Sequence, residues 1–172
     1  ALKMLQDRIV LLNQINISCL AIACNTAHVL LPKLQEVSHV PFISMIDEVV
    51  AVMKKDKLRK IGILATPSML RSKLYQKALE EQGIVSVQPE IKEFPMLERS
   101  IRNVIGGKIS KKDSHNLIAI ASKLKTQGAE GIILGCTELP LVFPRKYSLP
   151  VYNSIEILAQ TLLQDYYKSN TI

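Results

Sequence analysis

Two cysteines stand at matching breaks in the sequence, where an apolar run gives way to small polar residues. The first lies in Ala23-Cys24-Asn25-Thr26-Ala27-His28, the second in Gly135-Cys136-Thr137-Glu138-Leu139-Pro140. A thiol at the carboxyl end of a buried strand, before a turn or helix start, has backbone N–H groups beside it that can hold a carboxylate. The same dipoles favour the thiolate. Two such thiols on opposite sides of a bound molecule could invert a stereocentre that bears hydrogen. One removes the proton, and the other returns a proton on the far face, with no cofactor. The carbanion-like state between them needs its charge stabilised at a carboxylate, which fixed N–H donors supply.

Other uses of these residues were weighed on the same pattern. Cys19 lies inside the first apolar run without polar neighbours and reads as a small buried hydrophobe. That reading is open to Cys24 and Cys136 taken singly, and their shared context argues against it. A redox pair would call for C-x-x-C, which is absent. His28, His39 and His115 show no metal-ligand spacing, so no metal is expected. His28 reads as a helix or supporting residue. Glu138 reads either as a partner of Cys136 or as a carboxylate at a helix N-terminus.

The elements that must position these residues alternate along the chain. Apolar runs at 19–24, 41–45, 60–66, 85–89, 131–136 and 150–153 read as strands, most of them buried on both faces as in a parallel sheet. Helical spacing runs over 69–83 and 110–128, each closed by a glycine, Gly83 and Gly128. A closing helix is expected over 154–167 with Ser154 as its N-cap. This alternation predicts an α/β fold.

An internal repeat organises the pattern. With Cys24 set on Cys136, prolines align at Pro32 and Pro144, then at Pro41 and Pro150, and Ile46-Asp47 aligns with Ile155-Glu156. Two related α/β lobes are expected. Residues 1–57 would be the remainder of a first lobe whose N-terminal part is absent, because nothing before Cys24 matches the strand that opens at Lys60. Residues 58–153 would be the second lobe, and 154–172 a C-terminal helix returning to the first.

Composition narrows the class. The 172 residues are 48% hydrophobic and carry a formal charge of +7. Basic residues gather at 54–60 and 108–113, which suits solvated helix ends, or a mild field for a small anion. With no Trp and few aromatics, a stacking platform for nucleic acid is not expected. No apolar run reaches the roughly 18 residues of a membrane span. Three irregularly spaced cysteines form no disulfide framework, which fits a reducing, cytoplasmic setting.

The two cysteine segments closely resemble the signature segments of the cofactor-independent aspartate/glutamate racemase family. The likeness covers nearly the whole chain, and 60–75 is similar to the family's second-lobe strand, loop and helix. The resemblance implies two pseudosymmetric parallel-sheet lobes with the active site between them. It implies Cys24 and Cys136 as the acid/base pair, and Asn25, Thr26, Thr66 and Thr137 as residues that bind the amino acid. Glu138 after Cys136 and Thr137 points toward the aspartate branch, where glutamate racemases carry histidine. Ser68-Met69 stands where the family usually has Gly-Thr. The implied function is cofactor-free interconversion of L- and D-aspartate, glutamate being a further substrate. The partner would be a small anionic amino acid, with no nucleic acid and no membrane, in a homodimer. The alternatives are a related isomerase of another small anion, of the maleate isomerase or hydantoin racemase type, and a non-catalytic dicarboxylate-binding protein.

Overall fold

The longest buried run, residues 60–65, sets the architecture. A computed structural model describes residues 1–169. Its centre is a four-stranded parallel sheet in the order β4-β3-β5-β6, made by β3 (Lys60–Ala65), β4 (Val85–Val87), β5 (Ile132–Gly135) and β6 (Val151–Asn153). Ile61, Ile63 and Leu64 of β3 and Ile132 and Ile133 of β5 are wholly buried. Successive residues of a strand point to opposite faces, so both faces of this sheet are covered. A smaller parallel pair joins β1 (Leu20–Ala21) to β2 (Phe42–Ile43).

Helices fill the spaces between strands: α1 (Leu2–Leu12), α2 (Leu31–Gln35), α3 (Met45–Lys55), α4 (Pro67–Ser72), α5 (Leu74–Glu80), α6 (Phe94–Ile105), α7 (Lys111–Thr126) and α8 (Ser154–Ser169). Their apolar stripes explain their seats. Ile46, Val49, Val50 and Met53 of α3, Leu97 and Ile101 of α6, and Leu117, Ile120 and Leu124 of α7 join one core with β3 and β5. Ser44 caps α3 through the Asp47 amide, and Ser110 with Asp113 forms a capping box on α7. α8 lies on α3, where Thr161 Oγ1 donates to Glu48 Oε2 at 3.0 Å.

The repeat is visible as geometry. β1, a cysteine turn, β2 and α3 follow the same order as β5, a cysteine turn, β6 and α8, and both strand pairs are parallel. Gly83 and Gly128 take positive φ just beyond their helices, a conformation glycine adopts without strain.

Four expectations are corrected. The strand over 19–24 shortens to Leu20–Ala21, so Cys19 is half-buried rather than core, and Cys24 stands in the following turn. The strand over 41–45 stops at Ile43, because the Ser44 cap draws Met45 into α3. The helix over 69–83 breaks at Lys73, which adopts φ 59°, and becomes α4 and α5. Ser154 is the first residue of α8 rather than its N-cap, and its buried hydroxyl turns to other partners.

Lys73 holds a left-handed conformation that disfavours any residue with a Cβ, and β-branched residues most. Lys73→Gly should therefore raise stability by roughly 0.5–1 kcal/mol, and Lys73→Val should lower it by roughly 1 kcal/mol or more. Urea unfolding measures both. Equal stability of the two variants would show that the break between α4 and α5 carries no backbone strain.

Candidate functional site

The carboxyl ends of β3, β5 and β6 lie side by side, since Ala65 pairs with Gly135 and Leu134 with Asn153. Thr66 follows β3 and Cys136 follows β5, so strand pairing alone makes them neighbours. In parallel α/β sheets this edge is where ligands bind.

Cys136 is 6% exposed, and its thiol donates to Glu138 Oε2 at 2.9 Å. Thr137 Oγ1 donates to the same carboxylate oxygen at 2.9 Å. Burial, and then the Glu138 carboxylate, push the Cys136 thiol up to about 12. Cys24 adds to that upward push, so the two sulfurs lie close enough to act on each other electrostatically. Cys136 therefore rests as a protonated thiol whose proton already points at a carboxylate. Cys24 is exposed.

The Cys24 turn is held from several sides. Thr26 Oγ1 and Thr66 Oγ1 are 3.0 Å apart, and Thr66 Oγ1 is 3.1 Å from Ser68 Oγ, so three hydroxyls form a chain. Thr66 also caps α4 by accepting from the Met69 amide at 3.1 Å. Asn25 is 2% exposed. Its Oδ1 accepts from the Tyr75 hydroxyl at 2.6 Å, and its Nδ2 donates to Ser154 Oγ at 2.9 Å. His28 lies behind the turn. The Met45 amide donates to its Nε2 at 3.0 Å, so in the neutral ring Nδ1 bears the hydrogen and donates to the Cys24 carbonyl at 2.9 Å. Burial lowers the His28 pKa, which keeps the ring neutral.

The structure thus gathers Cys24, Asn25, Thr26 and Thr66 at one turn, and Cys136, Thr137 and Glu138 at another, with the sulfurs facing a shared region. Hydroxyls rather than cationic side chains line it: Thr26, Thr66 and Ser68 form one cluster and Thr137 sits on the other side. Sequence reasoning missed two members. Tyr75 was read as part of an apolar helical face, although a buried tyrosine needs a partner for its hydroxyl. Ser154 was read as a cap. Among the described residues, no group of three or more His, Cys, Asp or Glu comes together to hold a metal ion, and no helix is long and apolar enough to cross a membrane.

Comparison with known proteins places this geometry in context. The family model described as Asp/Glu/Hydantoin racemase matches residues 1–162. Glutamate racemase of Aquifex pyrophilus is 32% identical over 130 residues, covering 73% of this chain and 48% of that protein. Glutamate racemase of Helicobacter pylori strain J99 is 31% identical over 132 residues, covering 73% and 49%. The chain thus spans about half the length of these curated relatives. Among solved structures, an aspartate racemase homologue from Pyrococcus horikoshii OT3 superposes with a TM-score of 0.82 at 32% identity, over 95% of this chain and 73% of that one. Picrophilus torridus aspartate racemase gives 0.82 at 26% identity, over 95% and 68%.

The Cys136–Glu138 contact can be tested by itself. The carboxylate's charge holds the proton on the thiol, so Glu138→Gln should lower the Cys136 pKa from about 12. Each unit of fall gives about tenfold more thiolate at a fixed pH below the pKa. Alkylation of Cys136 by iodoacetamide, followed by mass spectrometry against pH, should shift to lower pH in the variant. An unmoved or upward-shifted profile would remove Glu138 as the group that keeps Cys136 protonated.

Proposed function

Since this chain belongs to the Asp/Glu/Hydantoin racemase family, we propose that it carries the two-thiol site of an amino-acid racemase acting on aspartate, without a cofactor. The observation that carries the reading is the pairing of Cys136 with Glu138 opposite an exposed Cys24. The relatives' names support the substrate class: glutamate racemases in sequence, aspartate racemase in structure. Glu138 in place of the histidine of glutamate racemases favours aspartate.

In the proposed reaction Cys24, as thiolate, takes the Cα proton from one face. The electron pair moves toward the substrate carboxylate, whose oxygens accept hydrogen bonds from the Thr26, Thr66, Ser68 and Thr137 hydroxyls. Cys136 gives its proton to Cα from the other face, and the enantiomer forms. A Cys136 thiolate beside an ionised Glu138 would place two anions within hydrogen-bond distance. The proton on Glu138 therefore accompanies the Cys136 thiolate, and this protonated pair is the form that deprotonates the other enantiomer. By family resemblance Cys24 serves the D-form and Cys136 the L-form.

Racemisation followed by circular dichroism tests this. Cys24→Ala and Cys136→Ala should each reduce turnover by at least the 10²–10⁴-fold order typical of a lost general acid or base. Parental activity should survive dialysis against chelator and treatment with hydroxylamine, and should be lost to iodoacetamide with substrate protecting. In deuterated water the product should gain deuterium at Cα while substrate recovered early remains protiated. Label entering substrate and product alike would mean a single base serves both faces. Binding of aspartate without any racemisation would make this a dicarboxylate-binding protein.

A further inference from the structure

The two cysteine turns share one buried hydrogen-bonded cluster that no step of the reaction uses. Tyr75 is 1% exposed and Ser154 wholly buried. The Tyr75 hydroxyl donates to Asn25 Oδ1 at 2.6 Å and lies within reach of the Ser154 hydroxyl. Asn25 Nδ2 donates to Ser154 Oγ at 2.9 Å, and Ser154 Oγ donates to the Leu134 carbonyl at 2.8 Å. Asn25 directly follows Cys24, and Leu134 lies two residues before Cys136. The ring of Tyr75 adds a second contact. A Cβ on Gly135 would stand 2.9 Å from Tyr75 Cε2 and 3.1 Å from Ala65 Cβ, so the tyrosine lies flush against the last residue of β5. One side chain therefore touches the residue after one thiol and the residue before the other.

We propose that Tyr75 and Ser154 are positioning residues that set where Cys24 stands relative to Cys136, by locking the Asn25 carboxamide against the end of β5. The proposal rests on the racemase reading only in that both thiols are the working groups. It gives Asn25 a different task from contacting substrate. A buried carboxamide engaged through both its oxygen and its nitrogen is an anchor for the turn, and substrate recognition falls to the threonine hydroxyls. It also explains the break at Lys73, which redirects the chain between α4 and α5 just before Tyr75. The cluster is fully paired, and in a site of low polarity such hydrogen bonds fix geometry more firmly than their net stabilisation suggests.

The test uses Tyr75→Phe, which keeps the ring against Gly135 and deletes one hydroxyl, and Ser154→Ala, which removes the other link. Amide hydrogen exchange by mass spectrometry should accelerate about tenfold over residues 24–28 and remain unchanged over 61–65 and 132–134. This readout needs no activity. With aspartate as substrate, kcat should fall by a factor of about ten to a hundred while KM stays within about twofold, the pattern of misplaced reacting groups. The equilibrium constant of a racemisation is unity, so kcat/KM must fall equally in both directions. The Cα-deuterium isotope effect is what separates them. It should grow for the enantiomer deprotonated by Cys24 and stay constant for the other. Unchanged exchange over 24–28, or acceleration everywhere, overturns the proposal, as do equal changes in both isotope effects. Local acceleration in a chain whose parent shows no racemisation would uphold the anchor and reject the racemase reading. Should Ser154→Ala fail to fold, Tyr75→Phe carries the same outcomes.

Discussion

The parallel pairing of β3 with β5 is the constraint from which the rest of this structure follows. Both strands are buried on both faces, so no polar chemistry can stand along their length. Whatever is polar must leave at their carboxyl ends, and Ala65 opposite Gly135 makes Thr66 and Cys136 leave together. The tight line of strands also requires small residues. A Cβ on Gly62 would meet Ile132 Cδ1 at 2.7 Å, and one on Gly131 would meet Tyr152 at 2.8 Å. These glycines are places where the neighbouring side chain has taken the volume, which is how large apolar residues from α7, α5 and β6 reach the sheet.

The second cysteine turn is brought to this edge by packing rather than by strand pairing. β1 and β2 belong to their own small sheet, and α3, which leaves β2, is buried in the core of the larger one. The turn between β1 and β2 is then drawn to the edge by polar contacts made over long sequence separations, Thr26 to Thr66 and Asn25 to Tyr75 and Ser154. The two thiols consequently differ in environment despite the sequence repeat. Cys136 is buried beside a carboxylate, whereas the residue two places after Cys24 is the neutral Thr26.

The α/β class, the four long helices and the buried strands were legible in the sequence, because burial on both faces writes continuous apolar runs and caps write short polar punctuation. Cys24, Cys136 and Glu138 were legible as a group because their context recurs. Strand ends were less so: residues 19–24 are apolar enough for a full strand, yet β1 has only β2 as a hydrogen-bonded neighbour among the described residues and extends over two residues. The break at Lys73 was hidden, since lysine carries no sign of a left-handed conformation. The roles of Tyr75 and Ser154 were hidden for a different reason. Each hydrogen bond they make spans 20 or more residues, and no local periodicity encodes a partner at that separation.

His28 has one ring hydrogen and two tasks, giving to the Cys24 carbonyl and receiving from the Met45 amide. A second proton would set two donors head to head at the start of α3. Its pKa in the folded chain lies below the ordinary 6.5 because of burial, with the Cys24 carbonyl and the more distant Asp47 opposing that shift. The unfolded chain therefore binds this proton before the folded one does. The stability tied to a neutral His28 is complete above 6.5 and drains away as the pH falls below it. Acid should thus work first on the junction between the cysteine turn and α3, leaving β3 and β5, which have no ionisable group buried between them, to hold their pairing longer.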